Sequence, residues 1–310
     1  MRKQSFSANG KLLLTGEYLV LKGAVALAVP TQLGQTLIVG LSQCGSPTIQ
    51  WNAFQPEGSW LSATLSPDTL EVLSTDDQSK AEKLARILKA VRQLNPEVFK
   101  PGLRFETHLE FDPQWGLGSS STLLSNLARW AEVDPYQLLK MTIGGSGYDI
   151  ACATSDTPIF YRLENDVPMV HSAAFNPPFV ENLFFVYQGN KQHSSNEVAR
   201  FNEKMQKVDL RSEIEKVSDI SRSLPRLTTL DDFQRAVNLH EEIMSRCLDR
   251  PPVQLQYPDF EGSLKSLGAW GGDFLLGATI WPLGRVKEYF HSHGLDTVFQ
   301  YQELINHNIS

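Results

Sequence analysis

Gly116-Leu117-Gly118-Ser119-Ser120-Ser121-Thr122 opens an amphipathic stretch in which Leu123, Leu124, Leu127 and Ala131 recur on one helical face. The glycines let the backbone turn tightly and approach a ligand closely. The first turn of a helix presents unpaired N–H groups and the positive end of the dipole. Together these make a phosphate site. Hydroxyls in the same turn can reach a bound Mg²⁺, as the Ser/Thr of a P-loop does. No lysine follows the second glycine, so the stretch is not a Walker A motif. The plain alternative is an ordinary Gly-Ser helix cap.

Working outward, Leu103 to Phe111 reads as the strand before this loop, and Ser79 to Leu94 as a helix with a Ser79–Glu82 capping box. Lys11 to Leu21 reads as strand, turn and strand, Leu33 to Leu41 as a further strand, and 44–77 as one or two hairpins. Asp134 and Pro135 have the preferred residue types for the N-cap and first position of a short helix. Asn176-Pro177-Pro178 marks a junction, which predicts domains over 1–175 and 176–310. Beyond it come a strand at 183–187, helices near 196–208, 212–224 and 231–248, a strand at 274–281, a helix at 285–293 and a strand at 297–301. The order predicts an α+β protein with helices on one face of a largely antiparallel sheet.

The chain has 310 residues, 41% hydrophobic and 20% charged, with net charge -7. That length favours two domains. No Lys/Arg cluster is present, which argues against a nucleic-acid partner. Cys44, Cys152 and Cys247 are far apart and form no CxxC pair, so they read as buried small apolar residues, without disulfide or structural zinc. The apolar run 11–30 is interrupted by Glu17 and Lys22, too broken for a membrane span. No signal-peptide core follows Met1, so the expectation is cytoplasmic.

Three more stretches could carry chemistry. In Gly144-Gly145-Ser146-Gly147-Tyr148-Asp149 one acid lies between a glycine-rich turn and an apolar helix start. Held near cations, Asp149 would stay ionised and could accept a hydroxyl proton; a plain N-cap aspartate is the commoner alternative. Lys11 begins an apolar strand, where burial needs an anionic partner; a solvated strand end is the alternative. The third stretch, Lys265-Ser266-Leu267-Gly268-Ala269-Trp270-Gly271-Gly272-Asp273, is a second glycine-rich loop or only a hairpin turn. His240 shares an apolar helix face with Phe233, Val237 and Met244, so it reads as a core histidine, and Glu241-Glu242 as a solvated pair. His291, His293 and His307 have no acid or cysteine at metal-site spacing.

In this order the motifs resemble those of the GHMP kinase superfamily, and lean towards its mevalonate and phosphomevalonate kinase branch. Asn9-Gly10-Lys11 with Gly16-Glu17-Tyr18 is similar to the family's N-terminal motif, 113–121 to its phosphate loop and 265–273 to its C-terminal motif. The resemblance implies a ribosomal S5 domain 2-like N-terminal domain that binds ATP and a ferredoxin-like C-terminal domain. It implies Asp149 as catalytic base and Lys11 as the cation orienting the acceptor hydroxyl. Gly116, Leu117, Gly118, Ser119, Ser120 and Ser121 would wrap the phosphates of ATP, with Ser120 on Mg²⁺. Glu17, Tyr18, Ser146, Gly147, Lys191, His193, Ser194, Gly268, Ala269 and Gly271 would lie on the acceptor side. The chain departs from the pattern at Asn9, Leu267 and Trp270, and Glu132 is a weak counterpart of the glutamate that some relatives place on the metal. The implied partner is a small molecule, mevalonate or phosphomevalonate, with no nucleic acid or membrane, in a monomer or homodimer. A kinase for a sugar or homoserine, a diphosphomevalonate decarboxylase-like enzyme and a non-catalytic binding protein are the rival readings.

Overall fold

The structure is a computed structural model and describes residues 3–42, 47–189, 194–268, 270 and 273–306, without the side chains of 194–196. Its elements run β1 (Gln4–Thr15), β2 (Ala26–Leu41), β3 (Ile49–Gln55), β4 (Gly58–Leu65), β5 (Val72–Thr75), α1 (Gln78–Leu94), β6 (Leu103–Leu109), α2 (Ser119–Ala131), α3 (Pro135–Thr142), α4 (Tyr148–Ala153), β7 (Ile159–Glu164) and β8 (Val167–Ser172). They continue as β9 (Leu183–Tyr187), α5 (Ser194–Lys204), α6 (Arg211–Ser223), α7 (Leu230–Leu248), β10 (Ser263–Ser266), β11 (Phe274–Ala278), α8 (Leu283–Ser292), β12 (Val298–Gln300) and α9 (Tyr301–Leu304). The class is α+β, as the order of elements implied. The chain divides into two compact units: 1–10, 33–113 and 117–154 form the first, and 11–32, 114–116 and 155–310 the second. β1 and β2 are long enough to enter both.

In the first unit the strand order is β5-β4-β3-β6 followed by the 35–41 part of β2. β3 and β6 pair in parallel and the other neighbours antiparallel. Alternation along β3 and β6 sends Trp51 and Phe105 inward, stacked at 5.1 Å. α1, α2 and α3 cover that core with Leu84, Leu88, Leu124, Leu127 and Leu138. The cap of α1 differs from expectation. Asp77, not Ser79, accepts the Lys80 amide, at 3.0 Å. An ionised acid at the N-cap gains from the helix dipole as well as from the hydrogen bond, which favours it over a serine. Asp134 caps α3 as the sequence implied.

In the second unit β10-β11-β9-β12 form a sheet with antiparallel pairing throughout. Phe184, Leu264, Leu275, Trp281 and Phe290 form its core. Gly277 lies opposite Phe184, and a Cβ there would stand 1.9 Å from the ring, so only glycine fits. The 26–28 part of β2 pairs with β7, and β7 with β8. This β7–β8 hairpin is absent from the sequence reading. Its two-residue turn, Asn165-Asp166, has φ of 50° and 62°, the primed geometry that matches strand twist. The return strand expected after Lys11–Thr15 is a 3-10 turn, Leu19–Lys22. Gly16 (φ +91°) and Tyr18 (φ 60°) both leave the extended region and end β1.

Candidate functional site

In the first unit, α2 starts from Gly118 at φ 94°, with no side chain capping the turn. The first-turn amides of a helix have no intrahelical acceptor, and here no side chain supplies one as a cap. The helix is anchored behind them. Leu117 is fully buried, the Thr122 hydroxyl donates to Gln35 Oε1 at 3.0 Å, and Asn126 donates to the Gln35 carbonyl at 2.8 Å. Ser121 is buried and donates to the Gly118 carbonyl, Ser119 is half-buried and Ser120 is exposed. α4 follows Gly147, also left-handed at φ 88° and without a side-chain cap, with Asp149 half-buried in its first turn. Ser146 is buried before it, and α4 packs against α2. Glu132 is the left-handed C-cap residue of α2, at the end of the helix opposite its first turn.

In the second unit the half-buried Lys11 ammonium donates to the Gly116 carbonyl at 3.1 Å. This carbonyl belongs to the residue two before Gly118 in the chain. Gly116 and Gly268, at φ +70° and +66°, both lie against the buried Asp273 carboxylate. A Cβ would stand 2.7 Å from Asp273 Cγ at Gly116, and 2.6 Å from its Oδ2 at Gly268. One carboxylate thus fills the space both glycines leave. Tyr18 is buried, its hydroxyl accepts from the Trp270 amide at 3.4 Å and its ring packs on Phe201. Arg250 donates to the Trp270 carbonyl at 2.9 Å and pairs with Glu197 at 2.6 Å. Trp270 is thereby held by backbone contacts on both sides.

Below these loops lies a cluster of ionisable groups with almost no solvent exposure: Glu17, His240, Glu241 and Lys265. Lys265 Nζ donates to Glu17 Oε1 at 2.5 Å and to the Ser266 carbonyl at 2.8 Å. Glu241 accepts from the Val253 amide, the Ser266 amide and the Ser266 hydroxyl. His240 Nε2 accepts the Gly16 amide at 3.0 Å, so that nitrogen carries no proton. Burial, with Lys265 adding to it, drives the imidazole well below its usual range and keeps it neutral. Glu17 Oε2 lies 3.3 Å from the same nitrogen and has no hydrogen-bond partner. Two acceptors face each other there unless the carboxyl is protonated, so this contact is not an ion pair. Burial pushes Glu17 up to about 7 against the pull of Lys265. Burial also raises Glu241, against Lys265 and its three donors. Near neutral pH the Glu17 carboxyl is therefore partly protonated.

The expectation of a solvated Glu241-Glu242 pair is therefore corrected. Glu242 is exposed, but Glu241 is buried, because the Ser266 backbone and hydroxyl and the Val253 amide need its acceptors. His240 is a core histidine, as its apolar face implied. The sequence reading missed Lys265 as the buried counter-charge of Glu17. Cys152 and Cys247 are buried, as expected. His291 does have an acidic partner, Asp296 at 2.5 Å, on the surface. Ala269, Gly271, Lys191, His193, Cys44 and His307, and the Ser194 side chain, lie outside the described residues. Among the described residues no three His, Cys, Asp or Glu side chains gather as a metal centre, and no helix is long and apolar enough to cross a membrane.

No protein-family model and no curated protein sequence matches the chain. Solved structures do. The L. major mevalonate kinase in complex with R-mevalonate is 16% identical with a TM-score of 0.69, covering 99% of this chain and 97% of that one. The Streptococcus pneumoniae phosphomevalonate kinase in complex with phosphomevalonate and AMPPNP is 15% identical with a TM-score of 0.68, covering 94% and 97%. The Lactococcus lactis galactokinase complexed with galactose is 10% identical with a TM-score of 0.70, covering 96% and 92%. All three are kinases of small molecules, and the likeness of fold runs along nearly the whole chain. The chain has the GHMP kinase fold.

Proposed function

We propose that this protein is an ATP-dependent small-molecule kinase whose acceptor is mevalonate or phosphomevalonate. The observation that carries the reading is the first turn of α2, opened by a left-handed glycine and left without a side-chain cap. Such a turn is a ready anion site. The donors of the first unit fit a nucleotide triphosphate with Mg²⁺: backbone amides at 118–121 and an exposed Ser120 hydroxyl. Residues 1–175 would form the nucleotide-binding domain.

Phosphoryl transfer asks a protein mainly for positioning and charge neutralisation. Amides of Gly118 to Ser121 would hold the β- and γ-phosphates, and the Ser120 hydroxyl would hold the metal. Mg²⁺ supplies charge neutralisation on the transferred group. Asp149 accepts the acceptor's hydroxyl proton, and Lys11 stabilises the charge that develops on its oxygen. With an acceptor that is itself a phosphate, the base matters less and the cation more. On the family resemblance, Tyr18, Ser146, Gly147, Gly268 and Glu17 would serve the acceptor. ADP release measured over mevalonate, phosphomevalonate, galactose and homoserine tests the reading, with release for one of the first two expected. Asp149→Asn lowers that rate by about 10²–10⁴-fold for an alcohol acceptor. A panel without turnover overturns the kinase, and an unchanged rate in Asp149→Asn removes the base.

A further inference from the structure

The second unit carries a cavity of about 530 Å³ that shares no residue with the glycine loops. That is the volume of a small-ligand pocket. One wall is the β7–β8 hairpin. Its register pairs Phe160 with His171 and Arg162 with Met169, which puts all four on one face. The other wall is the end of α6 and the following 3-10 turn, which bring Arg222 and Arg226. Val25 lies between.

The cations are not equivalent. Arg162 donates to the Gly23 carbonyl at 3.0 Å and pairs with Glu164 at 3.1 Å. Arg222 pairs with Asp219 at 3.2 Å. Arg226 and His171 have no hydrogen-bond or ionic partner among the described residues. The cavity therefore joins apolar surface from Val25, Phe160 and Met169 to the Arg226 guanidinium and the His171 imidazole; its one lining acid, Glu164, is paired with Arg162. A merely solvated arginine face has neither the concavity nor the apolar lining.

We propose that this cavity binds an organic phosphate with an apolar body. A phosphate monoester presents three oxygens and up to two charges, enough to meet Arg226, Arg222 and His171 together; a carboxylate presents two oxygens and one charge. Arginine is the side chain suited to that recognition, through its planar fork of donors. The apolar body lies on Phe160, Met169 and Val25, and supplies the affinity that a solvent-exposed charge contact lacks. The site is separate from the kinase reading and stands or falls without it.

Calorimetric titration of the full chain with octyl phosphate tests the proposal, with saturating AMPPNP and Mg²⁺ present to block any nucleotide site. One octyl phosphate binds per chain, and octanol and inorganic phosphate each bind at least tenfold more weakly. Octanoate also binds more weakly. The double variant Arg226→Gln/His171→Gln weakens octyl phosphate at least tenfold. Both positions are exposed, so folding is retained and the circular-dichroism spectrum is unchanged. Met169→Glu, which sets an acid on the apolar wall, weakens it independently. The proposal is overturned by absence of saturable binding, by variants that bind like the parent, or by inorganic phosphate or octanoate binding as tightly as octyl phosphate. Loss of binding in AMPPNP with recovery in its absence moves the ligand to the nucleotide site and equally overturns it.

Discussion

Glu17→Gln separates a shared proton from a conventional buried ion pair. In the folded chain Glu17 titrates near 7 against an ordinary value of 4.5. Between those values the folded state binds more protons than the unfolded state, so stability falls as pH rises and levels off above 7. At about 1.4 kcal/mol per pH unit the full loss is on the order of 3 kcal/mol. About 2 kcal/mol of it falls between pH 5.5 and 8.5. Glutamine imitates the protonated acid. Its oxygen still accepts from Lys265, and its amide can donate to His240 Nε2, the contact now 3.3 Å from an unpartnered oxygen. The variant should therefore match the parent within about 1 kcal/mol at pH 5.5 and exceed it at pH 8.5. Urea denaturation followed by tryptophan emission at both pH values measures this. A variant that loses stability at pH 8.5 relative to the parent would refute the shared proton and restore an ionised Glu17–Lys265 pair.

Three other substitutions probe the same structure. Lys265→Met leaves two buried carboxylates without their cation and should cost about 3–5 kcal/mol at pH 8, less at pH 5.5, where Glu17 protonates; denaturation at the two pH values reads the difference. Gly277→Ala drives a methyl into the Phe184 ring and should cost about 1–3 kcal/mol or more, visible as a lowered melting temperature. Asp77→Ala removes the α1 cap and should cost about 1 kcal/mol, read from the urea midpoint.

Much of the fold is local in origin and so was legible from the residues. α2, α3 and α7 follow apolar spacing and caps that depend on residues within one or two turns of each other. β7 and β8 did not announce themselves. Half of their side chains face solvent, Met169 and Val170 among them, so alternation is blurred, and an Asn-Asp turn is a weaker signal than Asn-Gly. The glycine loops carried the resemblance because close backbone approach leaves a mark in sequence. The cluster beneath them left none. Glu17, His240, Glu241 and Lys265 are separated by up to 248 positions, and each alone reads as a surface or core residue. Burial turns a charge into a partner problem, and partners that far apart in the chain are not visible in one sequence.

The carboxylate of Asp273, seated where Gly116 and Gly268 have no side chains, makes three positions interdependent. A methyl group added at either glycine must displace the acid, and both backbones already hold angles that other residues rarely adopt. Shortening the acid to glycine would free space on two loops at once. Engineering of either loop therefore succeeds only when the three sites are varied as a set, and libraries that randomise one at a time will return the parent residue.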